Sequence, residues 1–397
     1  MQESWRATKA DGGEAASLAT QQLRLSARIV ALGLGAGVGL SVRLWYATDR
    51  LYPHTPLFAG TAIPSTVELM LLVAVLLSLA VVVVHRHRPA LWIGITLAAT
   101  AALVIFDQSR LQPWTYEYAL MLTALGFAVG APDSPRHEWI VTCRLIVVAL
   151  YFWSGVQKMN VTFLTRTWPD FTGTLASVYP GRTILTHVGW IVPVTEVGIA
   201  IGLALRRSRG VAVVAAVTMH AFTTAVLIAT NENSVVWPWN VAMAGLVVTL
   251  FGRITQDEAI LRPVRFGPAI VVAAMVSFLP ALSFVGVWDA YLSAALYTGN
   301  TIQAVVVVPP EAVERFPRLL ARNTWQASPP AFIDINRWSY DELNVPAYPA
   351  ERVMKAVGGA VCRTYVPPGT GTLVILGRPD WKTGKRDRMS FNCSEFR

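Results

Sequence analysis

Lys158 is the residue of this chain best placed to do chemistry. It stands in Tyr151-Phe-Trp-Ser-Gly-Val-Gln-Lys-Met-Asn160, where an apolar run that begins near Trp139 closes. A lysine at mid-bilayer costs roughly 2.5–3.5 kcal/mol on insertion scales, so one inside or bordering a span is a functional candidate by default. Phe152 and Trp153 flank it and could keep water away, a condition under which lysine serves as a general base. Glu196 or His220 could orient a reacting hydroxyl, and Gln157 can only donate or accept hydrogen bonds. Glu117, His187 and Asn240 complete the candidate ligand-binding set.

Each residue also has a plainer reading. Lys158, at a helix end, could snorkel to the interface. Glu196 follows Pro193 by three positions and could bond backbone freed by the proline. His220 reads equally as a satisfied buried histidine. Asp107 and Arg110 are i,i+3 and could pair with each other. Arg144 could neutralise a carboxylate, and Trp114, Trp237 and Trp239 read as belt residues. There is no metal-ligand spacing, Walker loop, dinucleotide fingerprint or Gly-x-Ser-x-Gly elbow, which argues against an ATPase, a kinase, a lipase-type hydrolase or a metal site.

The elements that must position these groups follow from composition. The 397 residues are 54% hydrophobic and only 14% charged, against roughly 25% charged in soluble domains. Residues 25–290 are mostly apolar runs. They read as an all-α polytopic membrane bundle of eight or nine transmembrane helices. The spans fall near Arg28–Tyr46, Val67–Val84, Ala90–Phe106, Tyr116–Gly130, Trp139–Val156, Ile184–Leu205, Val211–Ala229, Val235–Phe251 and Ala269–Val287. The fourth is short and Gly-bearing, hence tilted or partly re-entrant. Residues 1–24 read as a disordered polar tail without a secretory signal, and 160–182 as an interfacial, partly helical cap. Residues 291–397 read as a small α+β domain. Strands are expected at Thr301–Val308, Ala331–Ile335, Thr372–Leu376 and Arg388–Cys393, with a helix at Glu311–Arg322 and another within Ser339–Val357 broken by Pro346 and Pro349.

The net charge of +9 does not signal nucleic acid, because the basic residues sit largely in short loops. With the N-terminus in the cytoplasm, nine loop arginines fall inside and four outside, as positive-inside requires. The chain is then a bacterial-type inner-membrane protein with its C-terminal domain on the exported side. There Cys362 and Cys393 are free to pair as a disulfide. The intramembrane polar groups cluster on that same side, which implies a polar cavity opening outward.

The segment Tyr151–Asn160 resembles the lysine segment of the vitamin K-dependent γ-glutamyl carboxylases and their bacterial HTTM relatives, matching at Tyr151, Phe152, Gly155 and Lys158. That resemblance implies Lys158 as the base that starts oxidation of a lipid hydroquinone, which would reach the site laterally from the bilayer. An exported peptide or protein would be the substrate. Gln157 and Asn160 depart from the pattern. Gly155–Lys158 with Pro193-Val-Thr-Glu196-Val-Gly198 is also similar to the DoxX/MauE membrane proteins, some of them linked to quinone or thiol redox chemistry. That likeness implies a non-catalytic accessory in the maturation of exported redox proteins. A transporter is the third class. The enzyme reading requires an enclosed pocket holding Lys158 with Glu196 or His220. The accessory reading expects Lys158 to face lipid headgroups, and a transporter expects a vestibule at the inner end as well.

Overall fold

A computed structural model describes residues 2–58, 60–85, 87–178, 187–252, 264–265, 267–325 and 330–396. Among them the apolar region forms α1 (Gln2–Leu40), α2 (Ser65–Val84), α3 (Pro89–Phe106), α4 (Pro113–Gly130), α5 (Asp133–Lys158), α6 (Trp168–Val178), α7 (Ile191–Ala204), α8 (Arg209–Ala229), α9 (Val236–Phe251) and α10 (Gly267–Phe278). Proline opens α3 and α4, where its missing N–H leaves no bond unmade. Among the described residues six stretches suffice by length and composition to cross a membrane: Thr20–Leu40, Ser65–Val84, Pro89–Phe106, Arg136–Lys158, Arg209–Ala229 and Gly267–Val285. Helices α7 and α9 are apolar but shorter.

Two expectations need correction, and a third cannot be compared. Residues 2–24 are not a disordered tail but the first part of α1, rich in Ala, Gln, Glu and Leu, which favour helix. The fourth span is one continuous helix, α4, with no re-entrant break. The start of the sixth span at Ile184, and Arg182 before it, lie outside the described residues.

Small residues set the spacing within the bundle. A Cβ at Gly37 would stand 3.0 Å from the Trp114 ring, and Gly33 meets the Tyr118 ring as closely. These two glycines, one helical turn apart on α1, let α4 bring its buried aromatics against the α1 backbone. Trp114 is therefore core rather than belt, tilted against Trp45 with ring centroids 6.3 Å apart.

The helix ends carrying Leu40, Asp107, Gln112, Lys158 and Ser234 gather under the C-terminal unit. That unit is a five-stranded antiparallel sheet in the order β2-β3-β1-β4-β5. Its strands are β1 (Gln303–Val308), β2 (Thr324–Trp325), β3 (Ala331–Asp334), β4 (Thr372–Pro379) and β5 (Arg386–Asn392). Val305 pairs with Asp334 on one side and Val374 on the other. Helices α11 (Ile335–Leu343) and α12 (Glu351–Thr364) are separated by the extended stretch that contains Pro346 and Pro349. The helix expected at Glu311–Arg322 is instead two turns, Pro310–Val313 and Arg318–Arg322, interrupted at Pro317.

Charged groups rivet this unit to the bundle. Glu342 accepts hydrogen bonds from the Leu51 amide at 2.6 Å, the Tyr52 amide at 2.9 Å and Trp338 Nε1 at 2.9 Å. Asp289 accepts from Tyr348 Oη at 2.7 Å and also pairs with Arg352. Burial alone would raise the Asp289 carboxyl, but its bonds from Arg352 and Tyr348 outweigh that and hold it below its ordinary value. Asn344 Nδ2 donates to Leu40 O and to Ser234 Oγ, both at 2.9 Å. Asp107 and Arg110 do not pair with each other. Asp107 takes Arg50 at 2.8 Å, while Arg110 takes Glu68 from α2. Both arrangements bring a remote charge into a buried turn, which sequence spacing could not reveal. For Asp107, burial pushes the acid up, and the Arg50 guanidinium more than reverses it, leaving it well below the ordinary range.

Cys362 of α12 is bonded to Cys393 just after β5, closing a separation of 31 residues. A loop of this length confers about 3–4 kcal/mol on the chain-entropy account. Cys393→Ser should lower the stability of the C-terminal unit by about that amount. Thermal unfolding with and without reductant checks this, because the reductant should lower the wild-type midpoint and leave the variant unmoved.

Candidate functional site

The site begins with a glycine. A Cβ on Gly155 would stand 2.8 Å from Pro193 O, 2.8 Å from Val197 Cγ2 and 3.1 Å from Glu196 Cβ. Only a residue without a side chain lets α5 and α7 approach this closely, the small-residue contact on which packed membrane helices rely. One turn further along α5, the approach delivers Lys158 to Glu196. Lys158 Nζ lies 2.9 Å from both carboxylate oxygens and 2.6 Å from Ser154 Oγ. Both charged residues are only 7% exposed.

The pair sits on the wall of a cavity of about 630 Å³, well inside the range of small-molecule sites. Helix α5 contributes Leu150, Tyr151, Ser154 and Lys158, one face at helical spacing. Helix α7 gives Ile191, Val192, Thr195 and Glu196, and α9 gives Val236, Trp239 and Asn240. Glu117 comes from α4, and Ala215, Met219, His220 and Phe222 from α8. Phe163, Trp168 and Phe171, from the segment after Asn160, roof the space. That segment holds a single π-helical turn, Phe163–Thr167, followed by α6, and Gly189 tucks directly beneath the Trp168 ring. The connector into the sheet adds Ala294 and Tyr297, with φ 57° and 54°. Left-handed backbone at non-glycine residues costs energy and gathers at functional sites.

Opposite the ion pair runs a polar chain. Tyr151 Oη lies 2.7 Å from His220 Nε2, and His220 Nδ1 lies 2.8 Å from Asn240 Oδ1. Asn240 Nδ2 donates to Val236 O at 2.9 Å, which fixes the amide so that its oxygen faces the ring. Nδ1 therefore carries the hydrogen and Nε2 accepts from the tyrosine. Two groups on the lining are matched only loosely. Glu117 Oε2 and Trp239 Nε1 are buried and interact with each other without a well-formed hydrogen bond. Polar atoms so loosely engaged on a cavity wall are where a ligand or an ordered water bonds.

Lys158, Glu196, His220, Glu117 and Asn240 thus converge on one cavity. The other candidates, Phe152, Trp153, Gln157 and His187, do not. Gln157 points to the far side of α5, where its Nε2 donates to Ser283 Oγ at 2.7 Å and its Oε1 accepts from Asn300 at 2.8 Å. Asn160 ties the same helix end to Thr298 O at 2.8 Å. Phe152 is 38% exposed on the outside of the bundle and stacks edge-on with Trp153. His187 is exposed, ahead of α7, and does not line the cavity. Helical phase is the reason: with Tyr151, Ser154 and Lys158 inward, Phe152, Trp153 and Gln157 must turn elsewhere. Arg144, outside the cavity lining, donates to Leu250 O at 3.0 Å. Tyr151, Trp168, Trp239 and Tyr297 line the site without having been singled out as site residues. The first shares the phase of Lys158 and was readable, whereas the others come from segments that only the fold brings near.

The family described as "Methylamine utilisation protein MauE" has a model that matches residues 136–236. The match spans α5 to α8 and so includes Tyr151, Ser154, Lys158, Glu196 and His220. No curated protein and no solved structure matches the chain. The chain is accordingly a multi-pass membrane protein with a MauE-like segment at its centre.

Two results should follow from this geometry. Gly155→Val should force α5 and α7 apart and destabilise the bundle by about 1–3 kcal/mol, seen as a lower unfolding midpoint in detergent. Lys158→Met or Glu196→Leu alone should cost about 3–5 kcal/mol by leaving one charge buried without its partner. The double variant should recover most of that loss, which a thermodynamic cycle on the four proteins would measure.

Proposed function

We propose that this protein is a DoxX/MauE-like membrane accessory that holds a lipid-soluble quinone in its cavity and serves the maturation of an exported redox protein. The observation that carries this reading is the coincidence of the MauE-like segment with the polar wall of the cavity. The contacts of Lys158 favour holding over catalysis. An ammonium has three donors and no acceptor, and here those donors meet two carboxylate oxygens and one hydroxyl. A general base needs a free lone pair aimed at its substrate, and Glu196 would have to let go first. His220 is likewise engaged at both ring nitrogens. Glu117 and Trp239 engage each other only loosely, so a ligand hydroxyl can take the carboxylate oxygen and a ligand carbonyl the indole N–H, the two groups that a quinol and a quinone present. The arginine distribution supports an orientation with the cavity end and the sheet on the exported face.

The enclosure of Lys158 discards the version of the accessory reading in which it faces headgroups. It also favours a second reading, a carboxylase-like enzyme in which Lys158 becomes the base once a hydroquinone displaces Glu196.

Extraction of the protein purified with its native lipids separates the two. The accessory reading expects bound quinone in the wild type, its loss from the stably folded Lys158→Met/Glu196→Leu double variant, and no oxygen consumption when hydroquinone is added. Wild-type quinone content in the double variant would sink the site. Oxygen uptake that depends on both hydroquinone and Lys158 would replace the accessory with the enzyme.

A further inference from the structure

Helix α7 leans on different neighbours at its two ends. At the cavity end it is drawn to α5 by Gly155. At the other end it is pinned to α8, where a Cβ on Gly202 would stand 2.8 Å from Ala212 Cβ and Ser208 Oγ donates to Gly202 O at 3.2 Å. Two helices held together at one end, with one of them pulled aside at the other, must part between. The residues on either side of that gap belong both to the cavity and to the outside. On α7, Ile191 lines the cavity and is 45% exposed. On α8, Phe222 lines it and is 50% exposed, and Thr218, one turn earlier, is also exposed. A residue that touches both spaces stands at a mouth. Since α8 is long and apolar enough to cross the membrane, the outside at this mouth is lipid.

We infer that the cavity opens sideways into the bilayer between α7 and α8, and that this mouth holds the apolar tail of a ligand whose polar ring lies at Lys158 and Glu196. The inference rests on the quinone-binding reading and adds the route and the tail site. The mouth is lined by Ile191, Thr218, Met219 and Phe222, which offer apolar contact and no charge, so they suit a prenyl or acyl chain rather than a polar substrate. The charged pair lies deeper, on the α5 side, so a head-in, tail-out ligand satisfies both regions at once.

The test uses the full chain in lipid nanodiscs and measures binding of ubiquinone, which has a prenyl tail, and of duroquinone, which has none. Thr218→Trp fills the mouth, Phe222→Trp repeats the block one turn away, and Val214→Trp, exposed on α8 outside the cavity lining, is the control. Wild type and Val214→Trp should bind ubiquinone at least about tenfold more tightly than duroquinone. Both mouth variants should lose about tenfold or more of the ubiquinone affinity and keep that for duroquinone. Unchanged ubiquinone binding in both blocked variants overturns the mouth, and a changed oligomeric state in the same samples would assign the gap to a second copy of the chain. Equal wild-type affinity for the two ligands overturns the tail site. Failure of the wild type to bind either retires the quinone reading and the tail assignment with it.

Discussion

The contact between Gly155 and the Pro193–Val197 turn is the constraint on which the rest of the site depends. An ammonium and a carboxylate buried in an apolar bundle must meet at hydrogen-bonding distance, or each carries a large desolvation penalty alone. The backbone separation of α5 and α7 decides whether they meet, and the missing side chain at Gly155 sets that separation. Ser154 takes the remaining lysine donor, so the polar cluster closes on itself. The roof, the histidine chain and the mouth all take their places around this fixed pair.

The spacing Gly155-x-x-Lys158 and Pro193-x-x-Glu196 carries this contact into the sequence, which is why the pair was legible there. The phase of α5 was legible too. Once Lys158 is inward, Tyr151 and Ser154 follow it and Phe152 and Gln157 turn away, yet chemical character drew them into the same set. Gln157 is polar because it fastens a helix end to Ser283 and Asn300, a structural duty that looks like a site when read by residue type. Trp239 and Tyr297 were beyond reach, because no local pattern tells that α9 and the connector into the sheet approach α5. The helix of residues 2–24 was misread for another reason. Polarity argues against a membrane span, but not against helix.

The C-terminal sheet shows how a small unit is held over a membrane bundle. Its core runs into that of the bundle, where Trp338 tilts against Tyr52, and polar bonds reinforce the attachment: a buried glutamate reading two backbone amides, a tyrosine and an arginine on one aspartate, an asparagine bridging two helix ends. Such bonds are directional, so they fix orientation as well as position. The same end of the bundle receives the roof over the cavity. Val161, at the root of the roof, donates to Trp381 O in the turn between β4 and β5 at 3.0 Å. The sheet and the roof are therefore mechanically joined.

The brevity of α7 bears on the membrane itself. Its 14 residues rise about 21 Å, against a hydrocarbon thickness of about 30 Å. A short apolar helix is matched to the bilayer by local thinning, by flanking side chains that reach the interface or by association. Bilayers of different native thickness will therefore seat this helix with different strain.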